Sequence, residues 1–347
     1  MVKLSDQLTI SEAELAPFVS EGGQAGKAHG LLLQQKGVWD LLRIGYDSLQ
    51  SVRTKAFEFD GFQIKVQFNP GRLISTAAKV DATSIRERKC FLCPENLPSA
   101  QRGIACEGDY LVLCNPFPIF PEHFTIASLH HTPQVVRDSF ATFLTLTREL
   151  GTRYTVLYNG PKCGASAPDH MHFQAGNRSF LPIAGEYGAV EDPRAARFFE
   201  SDCLRACSAE NYLRHFILFE SSDPGLLERA FAALYEVLQD AATAGEEPML
   251  NILGFCSSGK WRVFVFPRAQ HRPSFYFKEG DEKLLISPAA VEFGGVCTTP
   301  REQDFEKVTR ENIVEMFNEV SVSAKKFAAI TAHLTPKLAA LQESPAA

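Results

Sequence analysis

The stretch Gly160-Pro-Lys-Cys-Gly-Ala-Ser-Ala-Pro-Asp-His170-Met-His172-Phe-Gln174-Ala-Gly176 constrains this chain more than any other segment. Its second part alternates polar and apolar side chains, and in a β-strand successive side chains point to opposite faces. The pattern predicts a strand with His170, His172 and Gln174 on one face and Met171 and Phe173 in the core on the other. A loop of small residues, including Gly164, Ala165 and Ser166, delivers the chain to this strand. Residues Tyr154 to Tyr158 read as a preceding strand, stopped by the turn dipeptide Asn159-Gly160. Two imidazoles and an amide on a sheet face suit work on a phosphate. The small loop residues would let backbone N–H groups approach its oxygens closely.

At 347 residues the chain is long enough for about two domains. Its hydrophobic fraction of 45% and charged fraction of 22% are those of a soluble globular protein. The net charge of −6 excludes a broad basic footprint for nucleic acid. An anionic small molecule must therefore be held by a local cluster of donors. The segment Met1 to Leu8 has no apolar run of signal-peptide length, and no run of about 18 apolar residues occurs anywhere, so no membrane span is expected. Nine scattered cysteines, an odd number, argue against a disulfide framework and for a reducing cytoplasm. Among them, Cys90-Phe-Leu-Cys93 is a C-x-x-C pair suited to metal or redox chemistry.

Periodicity places further elements. Residues 1–60 offer only short apolar pieces without a long period. Strands are expected at Phe62 to Phe68, Tyr110 to Cys114 and His123 to Ala127, and a helix over 136–150. The second half repeats the order. Phe216 to Phe219 reads as a strand, Asp223-Pro224 as a helix start, and Met249 to Leu253 as a strand. A loop from Gly254 to Gly259 and a strand over Trp261 to Phe266 follow. Helix, strand, loop, strand at 136–176 and again at 225–268 suggests a duplication, with no histidine in the second copy. Helices near 304–319 and 323–342 close the chain, and the last residues from Glu343 are expected to fray.

The His170-x-His172-x-Gln174 pattern admits three readings. It is a chance pair of strand histidines, a metal-dependent hydrolase site in which Asp169, His170 and His172 are ligands, or a phosphoryl site in which a neutral imidazole attacks phosphorus. The last is weighed ahead of the others. After the strand at 261–266, Arg268, His271 and Arg272 could clamp a phosphate. The Asn-Pro dipeptides at Asn69 and Asn115, the first followed by Arg72, are turn formers in their own right.

Gly-Ala-Ser followed by His170-x-His172-x-Gln174 resembles the active-site strand of the histidine-triad superfamily. The similarity is to the branch containing galactose-1-phosphate uridylyltransferase, diadenosine tetraphosphate phosphorylase and GDP-hexose phosphorylase. The segment His123 to His131 resembles the strand and following histidine of triad proteins. The motifs cover roughly residues 60–180. Ser166 lies four residues before His170 where the relatives have three, a departure with Asp169 in the gap.

This resemblance implies an α+β histidine-triad-like fold in two related halves, each an antiparallel sheet with packed helices. Residues 1–185 would be the catalytic half and 186–347 a degenerate one. It implies His172 as the nucleophile that carries the nucleotide and Gln174 in place of the third histidine. It implies a structural zinc on Cys90, Cys93, His131 and His170, with His130 as a substitute for His131; apart from the resemblance, Cys106 and Cys114 offer a rival four-cysteine site with the C-x-x-C pair. No organic cofactor is expected. Asn69, Arg72, Asn115 and Arg268 would contact substrate. The implied reaction is nucleotidyl transfer from an NDP-sugar or dinucleoside polyphosphate to a phosphate-type acceptor, by a monomer or homodimer. A non-catalytic nucleotide-binding protein on the same fold is the other possibility.

Overall fold

The computed structural model describes residues 8–73, 82–186, 195–209, 211–240, 242–243 and 245–343. The expectations for Met1 to Gln7 and for the chain after Glu343 lie outside these residues. The protein is α+β. Among the described residues, thirteen strands form a ten-stranded sheet and a three-stranded one. In chain order they are β1 (Arg53–Phe59), β2 (Phe62–Phe68), β3 (Ile104–Cys106), β4 (Tyr110–Cys114), β5 (His123–Ser128), β6 (Tyr154–Asn159) and β7 (His172–Asn177), followed by β8 (Ala195–Glu200), β9 (Arg205–Ala209), β10 (Ile217–Ser221), β11 (Leu250–Ser257), β12 (Lys260–Pro267) and β13 (Val296–Thr299). The helices that matter here are α1 (Gly23–Val38), α2 (Phe140–Leu150), α3 (Pro224–Gln239), α4 (Arg310–Val320) and α5 (Ala324–Glu343).

The large sheet runs β3-β4-β5-β7-β6-β11-β12-β10-β9-β8. Read inward from either edge, β4-β5-β7-β6 and β9-β10-β12-β11 follow one another in the same way. Helix α2 lies between β5 and β6 in the chain, and α3 lies between β10 and β11. The repeated order read from the sequence is thus a repeated topology. The halves do not keep separate sheets: β6 pairs antiparallel with β11, Leu157 opposite Leu253, and the two merge into one. The small sheet also joins them, because β13 from late in the chain pairs parallel with β2.

Both faces of the central strands are buried, so β6, β11 and β12 are largely apolar on both faces, while β7 alternates and sets His172 and Gln174 on one face. Val156, Phe173, Ile252 and Val263 face one core together with Phe143 of α2 and Phe231 of α3. The Phe140 and Phe231 rings stack there at 3.8 Å and tie the two helices together. Leu157, Leu253 and Phe264 face the other core, covered by Ile64 and Val66 of β2, Phe293, and Phe317 of α4. Phe173 enters the first core, so His172 and Gln174 point to the second face, beneath the small sheet.

Several boundaries differ from the sequence reading, each for a physical reason. Strand β11 runs through Gly254 to Ser257, and only Ser258 and Gly259, both at positive φ, make the turn. Gly254 is not a loop residue. A Cβ there would lie 2.7 Å from Phe143 Cζ, so its glycine lets α2 approach the sheet. The N-terminal region, which shows no long period, contains α1; its buried residues mix Leu31 and Leu32 with the small Ala25, Gly26, Ala28 and Gly30, which leaves a weak apolar stripe. The expected helix at 304–319 is two, Glu302–Lys307 and α4, with Thr309 capping the second. No helix among the described residues is long and apolar enough to cross a membrane.

Candidate active site

Strand β7 begins at His172, not at His170. His170 sits in the turn before it, its N–H bonded to Ala167 O at 3.1 Å. The chain bends there because Met171 N–H bonds back to Thr132 O at 2.7 Å. His170 and His172 therefore do different jobs instead of sharing a strand face.

His170 is fully buried. Its Nε2–H donates to Ser128 O at 2.8 Å, leaving the Nδ1 lone pair facing the cysteines. Nδ1 lies 3.4 Å from Cys90 Sγ and 3.5 Å from Cys93 Sγ, while His131 Nδ1 lies 3.1 Å from Cys93 Sγ. A tetrahedral zinc with sulfur at about 2.3 Å and nitrogen at about 2.0 Å has ligand–ligand edges of roughly 3.3–3.8 Å. The donor set and spacings fit such an ion. Burial pushes the Cys90 thiol up, but the His170 ring and the backbone N–H groups of Leu92 and Cys93 together outweigh this and hold it at about 6. Cys90, Cys93, His131 and His170 are the one such cluster among the described residues. His130 points instead to Asp109 at 2.9 Å, and Cys106 and Cys114 lie apart on β3 and β4. Asp169 is paired with Arg88 at 2.5 Å, and neither it nor His172 joins the cluster. The Asp169–His170–His172 metal triad is thus not assembled.

His172 is 3% exposed. Its Nδ1–H donates to the His170 carbonyl at 2.8 Å, which fixes the tautomer and leaves Nε2 as the basic nitrogen. Burial lowers its pKa to about 4, so the ring is neutral at ordinary pH. Gln174, two residues on, has its Oε1 2.9 Å from His123 Nε2.

A pocket opens on this face. Gly164, Ala165, Ser166 and Gln174 line it from the first half, with Arg72 and Asn159. His271, Arg272, Ser287, Glu292 and Thr298 line it from later in the chain. Gly164 has φ +100°, and a Cβ there would lie 2.5 Å from Ala289 Cβ, so only glycine lets the loop pack against the other half. Burial lowers the His271 pKa to about 4, with Arg272 and Arg268 adding to it, so this ring too is neutral. Burial also raises the Glu292 carboxyl to about 7.

Three expected contacts lie elsewhere. Asn69 is buried and donates to Pro118 O at 3.0 Å. Asn115 accepts from Phe117 N–H at 2.9 Å, the turn chemistry its Asn-Pro dipeptide implies. Arg268 gives all of its N–H donors to protein acceptors: the carbonyls of Val320, Pro288, Gln270 and His271, and Asn251 Oδ1. It holds the 269–272 turn and leaves the pocket to His271 and Arg272. Asn159 was legible only as a turn residue. Its Oδ1 accepts from Asn251 Nδ2 and Ala290 N–H, both at 2.8 Å, so its NH2 is the end left for the pocket. Glu292 and Thr298 carry no sequence motif and reach the pocket through tertiary folding alone.

The repeated strand order, the His-x-Gln strand and the Cys2His2 cluster accord with the histidine-triad-like fold that the sequence resemblance implies, and the fold is similar to that of a solved dinucleotide phosphorylase. Residues 190–341 match the GDPGP1-like C-terminal domain, and residues 31–177 match a domain of unknown function, DUF4922. Among solved structures, yeast Ap4A phosphorylase Apa2 is similar with a TM-score of 0.54 at 17% identity, over 83% of this chain and 95% of that one. The same yeast enzyme in complex with AMP gives 0.48 at 17% identity, over 85% and 98%. A DUF4931 family protein from Bacillus cereus gives 0.38 at 12% identity, over 67% and 99%. No protein of curated function matches the chain in sequence.

Proposed function

We propose that this chain is a phosphorylase-type nucleotidyltransferase working by double displacement, with residues 1–185 as the catalytic half and 186–347 as the degenerate half. His172 Nε2 attacks the α-phosphorus of an NDP-sugar or dinucleoside polyphosphate. The N–P bond forms as the P–O bond to the leaving phosphate breaks. An oxygen of a phosphate or sugar phosphate then attacks the adduct, and the imidazole leaves with its electron pair restored. The observation that carries this reading is the 2.8 Å bond from His172 Nδ1–H to His170 O, which presents Nε2 as a neutral nucleophile.

The surroundings support it. Gln174, Asn159, Arg72 and Arg272 supply donors for the non-bridging oxygens. Glutamine cannot protonate a leaving group, so the leaving group must be one that needs no proton, such as a phosphate. A zinc held by Cys90, Cys93, His131 and His170 would be structural, since these donors complete its tetrahedron. Its protein ligand His170 is the residue whose carbonyl orients His172.

Incubation with a panel of radiolabelled nucleotides and NDP-sugars tests the reading. Wild type should take up an acid-labile, alkali-stable label, and His172→Ala should lose both label and turnover. Turnover surviving at wild-type rate in His172→Ala excludes covalent catalysis through this strand.

A further inference from the structure

We propose that Gln134 is the positioning residue for His172, acting as a detached amide that takes the place of a missing strand. The proposal rests on the reading of His172 as the nucleophile. Strands β6 and β7 pair in register as far as Leu157 opposite Gln174. Continued by two residues, that register would set Asn159 opposite His172 and let them exchange backbone bonds. The ladder stops short of this. Neighbouring β5 cannot compensate: Ala127 is opposite His172, but the backbone bond at that end goes from Ser128 N–H to Met171 O, at 2.9 Å.

The Gln134 side chain fills the gap. Its Oε1 accepts from His172 N–H at 2.8 Å. Its Nε2 donates to His172 O at 2.9 Å and to Asn159 O at 3.0 Å. Both backbone polar groups of His172 are thereby paired to a single side chain. Gln134 is fully buried, where leaving these groups unpaired would be costly. Its own backbone is pinned too: its N–H bonds Pro168 O at 3.1 Å, and its carbonyl lies 3.1 Å from the Tyr158 hydroxyl. That hydroxyl in turn bonds Glu247 Oε2 at 2.5 Å, so a carboxyl group from the other half braces the wedge. The consequence is that β6 and β7 part at the nucleophile without loosening the His172 backbone. The Nδ1–His170 O bond depends on that backbone staying where it is.

The test compares Gln134→Met, which keeps the volume and removes the hydrogen bonds, with Gln35→Met. Gln35 is an equally buried glutamine, on α1 and outside the site. The single-turnover rate of nucleotide transfer to His172 at saturating donor should fall by about 10²-fold in Gln134→Met, the usual consequence of a displaced reacting group. Donor affinity should stay within about twofold. Gln35→Met should leave both unchanged whatever it does to stability. The ring nitrogens of His172, followed by ¹⁵N NMR without substrate, should shift from the Nδ1–H form toward a tautomer mixture in Gln134→Met alone. If Gln134→Met does not fold, Gln134→Asn, which withdraws the amide by one methylene, takes the same measurements. A folded Gln134 variant with wild-type transfer rate and unchanged tautomer overturns the proposal. If wild type takes no label but the tautomer still follows Gln134, positioning stands and the transferase reading falls.

Discussion

His123 Nε2 lies 2.9 Å from Gln174 Oε1, and this contact decides which end of the glutamine amide faces the pocket. Ile119 N–H donates to His123 Nδ1 at 3.2 Å, so that nitrogen is the acceptor and Nε2 carries the proton. Burial above all, with Arg72 adding to it, drops the His123 pKa to about 3, which keeps the ring neutral with this one tautomer. Nε2–H then requires an oxygen, and Gln174 must turn its NH2 outward. The Gln174 donor is thus aimed by a histidine on the neighbouring strand.

Gln174→Ala should slow nucleotidyl transfer by about 10²-fold through loss of this donor. Gln174→Glu should be worse than alanine in donor binding, because the oxygen facing the pocket becomes an anion opposed to phosphate. His123→Leu should fall between wild type and Gln174→Ala, since the amide is present but free to flip. Steady-state kinetics on the three variants orders them. Equal rates for wild type and Gln174→Glu would show that the amide makes no contact in the transition state.

Purified protein, prepared without chelators, should carry about one zinc per chain by elemental analysis. Cys93→Ser should lose the metal and lower the melting temperature together, because the ion ties the 90–93 turn to His170. It should also reduce labelling of His172, whose Nδ1 is anchored on the His170 carbonyl. Metal-free wild type with full activity and stability would remove the structural assignment.

Much of this was legible in the sequence where local chemistry dominates. Phe62–Phe68 and Tyr110–Cys114 are strands at the residues their pattern predicts, and Asp223 caps α3 through the Leu226 N–H. The C-x-x-C pair met His131 and His170 as the family resemblance implied. What was not legible depends on tertiary approach. A strand pattern at 170–174 could not show that His170 lies in a turn, because that is set by Thr132 from another segment. Arg268 reads as part of a phosphate clamp, yet its acceptors are carbonyls and an amide scattered over four segments of the chain. Gln134 and Glu292 belong to no motif, and His123 and Asn159 read only as a strand residue and a turn residue. Each matters only because folding brings a backbone group or a second amide to it.

Two buried carboxyls should make stability depend on pH. Burial raises Glu247 from 4.5 to about 7 and Glu292 from 4.5 to about 7. A raised carboxyl means that the folded state holds the proton more tightly than the unfolded chain. Below about pH 4.5 both states are protonated and the contribution is complete. Between about 4.5 and 7 the unfolded carboxyl ionises while the folded one resists, so stability falls as pH rises, by about 1.4 kcal/mol per unit for each group. Above about 7 both states are ionised and the slope vanishes. Each group contributes on the order of 3 kcal/mol to the difference between the two ends. Glu247→Gln keeps an oxygen for Val136 N–H, bonded at 2.6 Å, and turns its NH2 as a donor to the Tyr158 hydroxyl oxygen, but cannot titrate. Urea unfolding at pH 5 and pH 7.5 should therefore show Glu247→Gln gaining on wild type at the higher pH, and Glu292→Gln likewise. A difference between variant and wild type that is the same at both pH values would show that the carboxyl titrates alike in the folded and unfolded chains.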